Sequence, residues 1–167
     1  RYVLGVDTAG GGDDGDFAAV QVVDVATGMQ CAELQERMRP AELAEVCAHL
    51  AHRFGGALVA VERNNHGAAV LALLETRPEV TLYRQGAQPG WLTSAASRPE
   101  MLAQLGTLLL QNPERFMSRR LLGECRTFVT DERGRAGAAN GAHDDLVMSM
   151  AIAQAVRSEL MERGVAS

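Results

Sequence analysis

The sequence predicts an α/β domain: a mixed sheet of five or slightly more strands, an antiparallel three-stranded meander followed by parallel strands, with helices on both faces. Three observations predict it. Tyr2-Val3-Leu4-Gly5-Val6-Asp7 and Ala57-Leu58-Val59-Ala60-Val61-Glu62 are runs apolar on both alternating faces, the mark of strands covered from both sides. Phe17 to Asp24 is rich in β-branched residues, and after the Thr27-Gly28 turn Met29 to Met38 is more polar, which makes a meander with a polar edge. Strands and helical periods then alternate, the order that builds parallel crossovers. At 167 residues the chain is one domain, long enough to bury a real core.

The first strand runs from Asp7 into Thr8-Ala9-Gly10-Gly11-Gly12-Asp13-Asp14-Gly15-Asp16. EF-hand spacing with its terminal Glu is absent, so these acids read as a solvated hairpin turn. Asp16 is the exception, since it begins the second strand within reach of Asp7. Pro40 suits the first turn of a helix, and Leu43, Val46, Cys47, Leu50 and Phe54 share a face until Gly55-Gly56. His49 and His52 have no third ligand nearby and are assigned no function. After Glu62, either Asn64 or Asn65 caps a helix carrying Val70, Leu71 and Leu74, and Arg77-Pro78 ends it. Val80 to Tyr83 makes a further short strand.

Arg84 to Ala96 reads as a loop in which Trp91 is a packing anchor rather than a base-stacking platform. Ser97-Arg98-Pro99-Glu100 has capping-box spacing and opens a helix with Leu102, Leu105 and Leu109 inward until Pro113. Phe116 to Cys125 reads as a shorter helix, Phe128 to Thr130 as a strand, and Asp131 to Arg135 as a polar turn. The last helix starts near Ala142-His143-Asp144-Asp145 and runs to about Arg163, amphipathic, with an Ala-rich side that permits close approach to a sheet.

Composition excludes several classes. All sixteen basic residues are Arg, so the lysine of a Walker A phosphate loop is missing. The net charge of -5 argues against indiscriminate binding to nucleic acid without excluding a DNA substrate. Cys31, Cys47 and Cys125 show no CxxC spacing and read as free, buried, inert thiols of a reducing compartment. No run approaches the ~18 to 20 apolar residues of a membrane span, and no signal-peptide pattern is present. The expectation is a soluble, cytoplasmic protein, in the host cytoplasm if viral. The abrupt entry from Arg1 into a core strand suggests a piece of a longer protein.

Acids thus end the first and fourth strands, Asp7 and Glu62, and an acid pair, Asp144 and Asp145, opens the final helix. The parallel crossover places the two strand ends on one edge of the sheet, where ligands gather in α/β folds. The plain alternative is that Asp7 is a turn residue and that the pair only complements a helix dipole. Two carboxylates about 4 Å apart repel by roughly 1 to 4 kcal/mol at effective dielectrics of 80 to 20, so several converging acids call for cations. Oxygen ligands without Cys or a His cluster select Mg²⁺ or Mn²⁺ over Zn²⁺.

Three groups of residues carry a family resemblance: Gly5-Val6-Asp7 with Asp13-Asp14-Gly15-Asp16-Phe17-Ala18-Ala19; Val61-Glu62-Arg63-Asn64-Asn65-His66-Gly67; and Thr93 to Pro99, Glu124 to Val129 and Gly141 to Val147. In this ordered set the chain resembles the RNase H-like nuclease superfamily, and within it the C-terminal nuclease domain of the phage terminase large subunit. The resemblance implies an endonuclease that cuts double-stranded DNA during viral genome packaging, with Asp7, Glu62, Asp144 and Asp145 as catalytic metal ligands. It implies one RNase H-like domain over 1–167, a C-terminal part whose ATPase half is absent. Partners would be DNA, the ATPase domain, the small terminase subunit and the portal, with no membrane.

Two Mg²⁺ or Mn²⁺ ions roughly 3.5 to 4 Å apart would support in-line attack by water, without a protein nucleophile. Asp16 and His143 are candidates to orient ligands or move a proton. Arg63, Arg84, Arg98, Arg119, Arg120, Arg133 and Arg135 are candidate phosphate contacts, and no helix concentrates the residues of sequence-specific readout. The alternatives are another RNase H-like nuclease, such as a Holliday-junction resolvase, and an inactive DNA-docking module of the packaging motor. An actin-like or sugar-kinase ATPase would need a second such domain.

Overall fold

The computed structural model describes residues 1–8, 17–130, 136–138 and 143–164. Its strands are β1 (Tyr2–Asp7), β2 (Ala18–Asp24), β3 (Gln30–Glu36), β4 (Leu58–Val61), β5 (Arg84–Gln85), β6 (Gln88–Pro89), β7 (Phe128–Thr130) and β8 (Ala136–Ala138). Its helices are α1 (Pro40–Arg53), α2 (Asn65–Glu75), α3 (Ser97–Gln111), α4 (Arg119–Thr127) and α5 (Asp145–Glu162), with one 3₁₀ turn at Pro113–Arg115. The main sheet runs β3-β2-β1-β4, antiparallel through the meander and parallel between β1 and β4. This is the expected mixed α/β architecture.

The main sheet has four strands rather than the five expected, because the short strand expected at Val80 to Tyr83 is reduced to isolated bridges. Leu82 and Trp91 each pair with the β4 edge in parallel, as Val59–Leu82 and Glu62–Trp91, and between them the chain leaves the sheet as the β5–β6 hairpin. Tyr83 N donates to Val59 O at 2.9 Å and Trp91 N to Val61 O at 2.7 Å, so the sheet edge is still satisfied on both sides of the excursion. Gly90 permits the return: its φ is 83°, and a Cβ there would stand 2.6 Å from Val61 O.

Alternation along the strands sorts the core into two halves. Leu4, Val6, Val20, Val22, Val59 and Val61 face α1 and α2, where Leu43, Cys47, Val70, Leu71 and Leu74 meet them. Val3, Ala19, Val23 and Ala60 face α5, backed by α3 and α4. Trp91 is buried in this second half beside Tyr83, with ring centroids 5.9 Å apart, as a packing anchor. Helices therefore cover both faces.

Several local expectations are corrected. The final helix is not one-sided: Asp145 to Val156 are all buried, because β1 and β2 lie on one side of it and α3 and α4 on the other. The buried stripe of α1 is Leu43, Ala44, Cys47, Ala48 and Ala51, rotated toward small residues, which leaves Val46, Leu50 and Phe54 half-buried. Ser97 does not cap α3; Ser94 does, its hydroxyl accepting from Ser97 N at 3.0 Å. Phe116 precedes α4 rather than opening it and is buried, and Leu102 and Leu109 line an apolar groove of about 580 Å³ rather than a sealed core.

Cys47 is buried and its thiol is pushed up to about 12 by burial, whereas Cys31 is exposed and so is not the buried thiol expected. All three cysteines are free. No described helix is long and apolar enough to cross a membrane. The glycine-rich turn with Asp16, and the polar turn with Arg133 and Arg135, lie outside the described residues.

Candidate functional site

The alternation that builds the core also aims the acids. On β1 the α5-facing positions are 3, 5 and 7; on β4 they are 58, 60 and, one step past its end, 62. Val6 pairs with Val61 and Glu62 N donates to Val6 O at 2.9 Å, so Asp7 and Glu62 emerge side by side toward the N-terminus of α5. The helix can come this close because residue 5 is glycine. A Cβ on Gly5 would lie 2.1 Å from Ser149 O and 2.7 Å from Ala153 N.

Asp7 is 8% exposed and its carboxyl is raised well above the usual range. Burial is the largest cause, followed by the charge of Glu62, a hydrogen bond shared with it, and the charges of Asp145 and Asp144. Asp7 and Glu62 are therefore in contact, and the Asp pair acts on Asp7 through charge. Among the described residues no three His, Cys, Asp or Glu side chains are already closed around a single ion position. The donor set suits a hard divalent cation: four carboxylates from three elements, mutually repulsive, with no thiolate or histidine cluster beside them among the described residues.

In the folded domain without metal, Asp7 keeps its proton to a higher pH than in the unfolded chain, where a free Asp titrates near ~3.9. Its contribution to stability is full below that value and declines as pH rises through the folded-state value. Asp7→Asn should therefore leave the metal-free domain at least as heat-stable as wild type at pH 8, and flatten the fall in melting temperature as pH rises above the free Asp value. A drop of several degrees at pH 8 would mark Asp7 as a structural hydrogen-bonding group.

The acid pair is not consumed in capping its helix. Asp144 stands at the N-cap position without a side-chain cap bond. Glu124 of α4 does the capping, its Oε2 accepting from Leu146 N at 2.9 Å and Val147 N at 3.2 Å while its Oε1 accepts from Gln35 Nε2 at 2.8 Å. Burial raises the Glu124 carboxyl, with the charge of Asp144 adding and these hydrogen bonds opposing. Glu124→Ala should lower stability by about 1 kcal/mol, read as a fall of roughly 2 to 4 °C in melting temperature. An unchanged melt would mean water satisfies those amides.

The two acids then diverge. Asp145 is buried in the first turn of α5, with His143 Nδ1 3.8 Å from its Oδ2. Asp144 is half-buried and salt-bridged to Arg98 at 3.2 Å, and Arg98 also reaches Met148 Sδ at 3.0 Å. His143 stacks edge-on against Phe17 at 5.2 Å, and Arg37 lies over the same ring at 5.1 Å. Phe17 and Arg37 flank the ends of β2 and β3 on the sheet edge that carries Asp7.

The other sequence candidates are more scattered. Arg63 donates to Gln85 Oε1 at 3.0 Å, and Arg84 is salt-bridged to Glu75 at 2.8 Å. Arg120 pairs with Glu33 at 2.9 Å on the polar edge, away from the acids. Sequence reasoning missed Arg37, the capping role of Glu124, and the contacts of Thr8 and Asn64 with the Glu62 turn. Only glycine at 67 allows that turn, since a Cβ there would lie 1.7 Å from Glu62 O.

Residues 4–155 match the family model described as "Terminase RNaseH-like domain". The large terminase nuclease of thermophilic phage G20c is similar in structure: with bound cobalt, TM-score 0.71 at 20% identity over 92% of this chain and 80% of that one. Its magnesium-bound form gives a TM-score of 0.69 at 20% identity, over 92% and 80% of the two chains. T. thermophilus RuvC in complex with a Holliday junction substrate is also similar, at TM-score 0.53 and 15% identity over 99% and 96% of the two chains. No curated protein matches the sequence.

Proposed function

Because the matching model spans residues 4–155, this chain belongs to the terminase RNase H-like domain family, and we propose that it is a metal-dependent endonuclease cutting double-stranded DNA during viral genome packaging. The observation that supports this best is Asp7, whose carboxyl is raised well above the usual range first by burial and then by the charges of Glu62, Asp145 and Asp144, so that four acids from three elements meet. Such a pocket is stable only with a proton or a cation in it, and a phosphodiester hydrolase needs the cation.

Asp7, Glu62 and Asp145 would hold the ions, with Asp144 a further ligand once it parts from Arg98. When bound, two Mg²⁺ or Mn²⁺ ions would polarise the scissile phosphate and activate a water in line with the leaving oxygen. The chain's own part is to fix the carboxylates on rigid strand and helix ends, with Gly5 and Gly67 bringing backbone segments close. His143, 3.8 Å from Asp145, would move a proton at the rim. Arg37, Arg63 and Arg98 would meet backbone phosphates, which position the duplex without reading its sequence. The G20c nuclease binds cobalt and magnesium, which supports a divalent site here. The ATPase domain, small subunit and portal are the partners this role requires.

The test is incubation of supercoiled plasmid with the domain and Mn²⁺ or Mg²⁺. Nicking and linearisation that EDTA abolishes are expected; metal-independent cutting, or none at any metal concentration, would refute the proposal. The likeness to RuvC favours one second reading, a junction resolvase. Strict dependence on four-way junctions would select it, and cleavage of unbranched linear duplex selects the packaging nuclease.

A further inference from the structure

Asn64 lies between the ends of β1 and β4 with every hydrogen-bonding position of its amide filled. Oδ1 accepts from Gly67 N at 2.8 Å and from the Thr8 hydroxyl at 2.5 Å; Nδ2 donates to Thr8 O at 3.2 Å and to Glu62 Oε2 at 3.1 Å. The amide can take only one orientation, because the backbone N–H of Gly67 can only donate and must face the oxygen. The nitrogen is thereby turned toward Glu62. Thr8, 3% exposed, fixes the amide from the end of β1, and α2 fixes it from the other side through the N-cap bond.

From this geometry we infer that Asn64 is a positioning residue: it holds Glu62 Oε2 with a neutral donor, sets the rotamer of that carboxylate beside Asp7, and leaves Oε1 to face a cation. The inference rests on the proposal that Glu62 is a metal ligand. A cap alone requires only the bond to Gly67 N, which Ser supplies as well as Asn. The donor to Glu62 is an addition that capping does not explain. A neutral donor also suits the task, since an Arg or Lys there would pair with Glu62 and compete with the ion, whereas an amide orients the carboxylate and leaves its charge intact. Polar partners that orient ligands in this way typically change metal affinity by about 10 to 100-fold.

The experiment measures Mn²⁺ binding, by the electron paramagnetic resonance signal of free Mn²⁺, together with metal-free melting, in wild type, Asn64→Ser and Asn64→Ala. Asn64→Ser should melt within a few degrees of wild type yet bind Mn²⁺ about 10 to 100-fold more weakly. Asn64→Ala should show the same loss of Mn²⁺ and a lower melting temperature, because the cap is gone as well. Wild-type Mn²⁺ affinity in Asn64→Ser would overturn the inference. Should that variant not fold, Thr8→Val removes the hydroxyl that fixes the amide while sparing the cap. A several-fold weaker Mn²⁺ affinity is expected there, and an unchanged affinity would overturn the inference. If wild type itself binds no Mn²⁺ while remaining folded, the failure is that of the metal site and not of Asn64.

Discussion

Asp7→Asn and Glu62→Gln should each reduce metal-dependent plasmid cleavage by about a thousandfold while leaving the domain folded. The size follows from what each carboxylate supplies. A ligated cation contributes several kcal/mol of charge stabilisation to phosphoryl displacement, and about 4 kcal/mol corresponds to about three powers of ten in rate. Both substitutions are near-isosteric and replace a charged oxygen by an amide nitrogen. Asp7 is buried on the α5 side of the sheet, where burial and the neighbouring acids favour its neutral form in the absence of metal, so Asn replaces a group of similar polarity and size. Loss of activity without loss of melting temperature is therefore the signature of a catalytic ligand. Full activity in both variants would end the assignment of these two carboxylates to catalysis, whereas no cleavage by the wild type would leave the DNA-docking module as the better account.

The second large effect concerns a residue without a side chain. Gly5→Ala should destabilise the domain by about 3 kcal/mol or more, toward the upper end of the cost of overpacking a core. Its Cβ would lie 2.1 Å from the carbonyl oxygen of Ser149 and 2.8 Å from Ala153 Cβ, both on the buried middle turns of α5. Neither neighbour is the loose end of a flexible side chain, so the helix itself must move away from β1. Since Asp145 opens that helix, the displacement should carry its carboxylate away from Asp7 and lower Mn²⁺ affinity together with the melting temperature. Calorimetry of Gly5→Ala beside Gly106→Ala, at a helical glycine with nothing within 4 Å of its would-be Cβ, separates the local clash from a general effect of substitution. Equal melts in the two variants would show that α5 does not depend on the gap at Gly5.

These two expectations differ in how far the sequence foretold them. The acids at positions 7 and 62 were legible because each closes an apolar run, and a strand followed by a helix and another strand fixes both ends on one edge. Gly5 was legible only as a residue in a strand. Its reason for being glycine lies in a helix that begins 140 residues later, which no local pattern carries. The arginines behave likewise. Arg98 and Arg84 were equivalent as candidate phosphate contacts, yet one salt-bridges Asp144 beside the site and the other, at the start of the hairpin, salt-bridges Glu75 at the end of α2.

By itself the sequence determined the strands of the meander, the parallel crossover to β4, the run of helices and the element ends that carry Asp7, Glu62 and the acid pair, because alternation, helical period, Pro at helix starts and Gly in turns act within a few residues. The tertiary structure alone decided which groups serve those acids. Glu124 reaches across 22 residues to cap the helix that the Asp144–Asp145 pair opens, Thr8 reaches across 56 to fix Asn64, and α5 is buried all round because two layers close on it. The physical reason is the range of the forces involved. Backbone propensity and hydrophobic period are set by neighbours in the chain, whereas hydrogen-bond partners, desolvation and charge repulsion are set by neighbours in space.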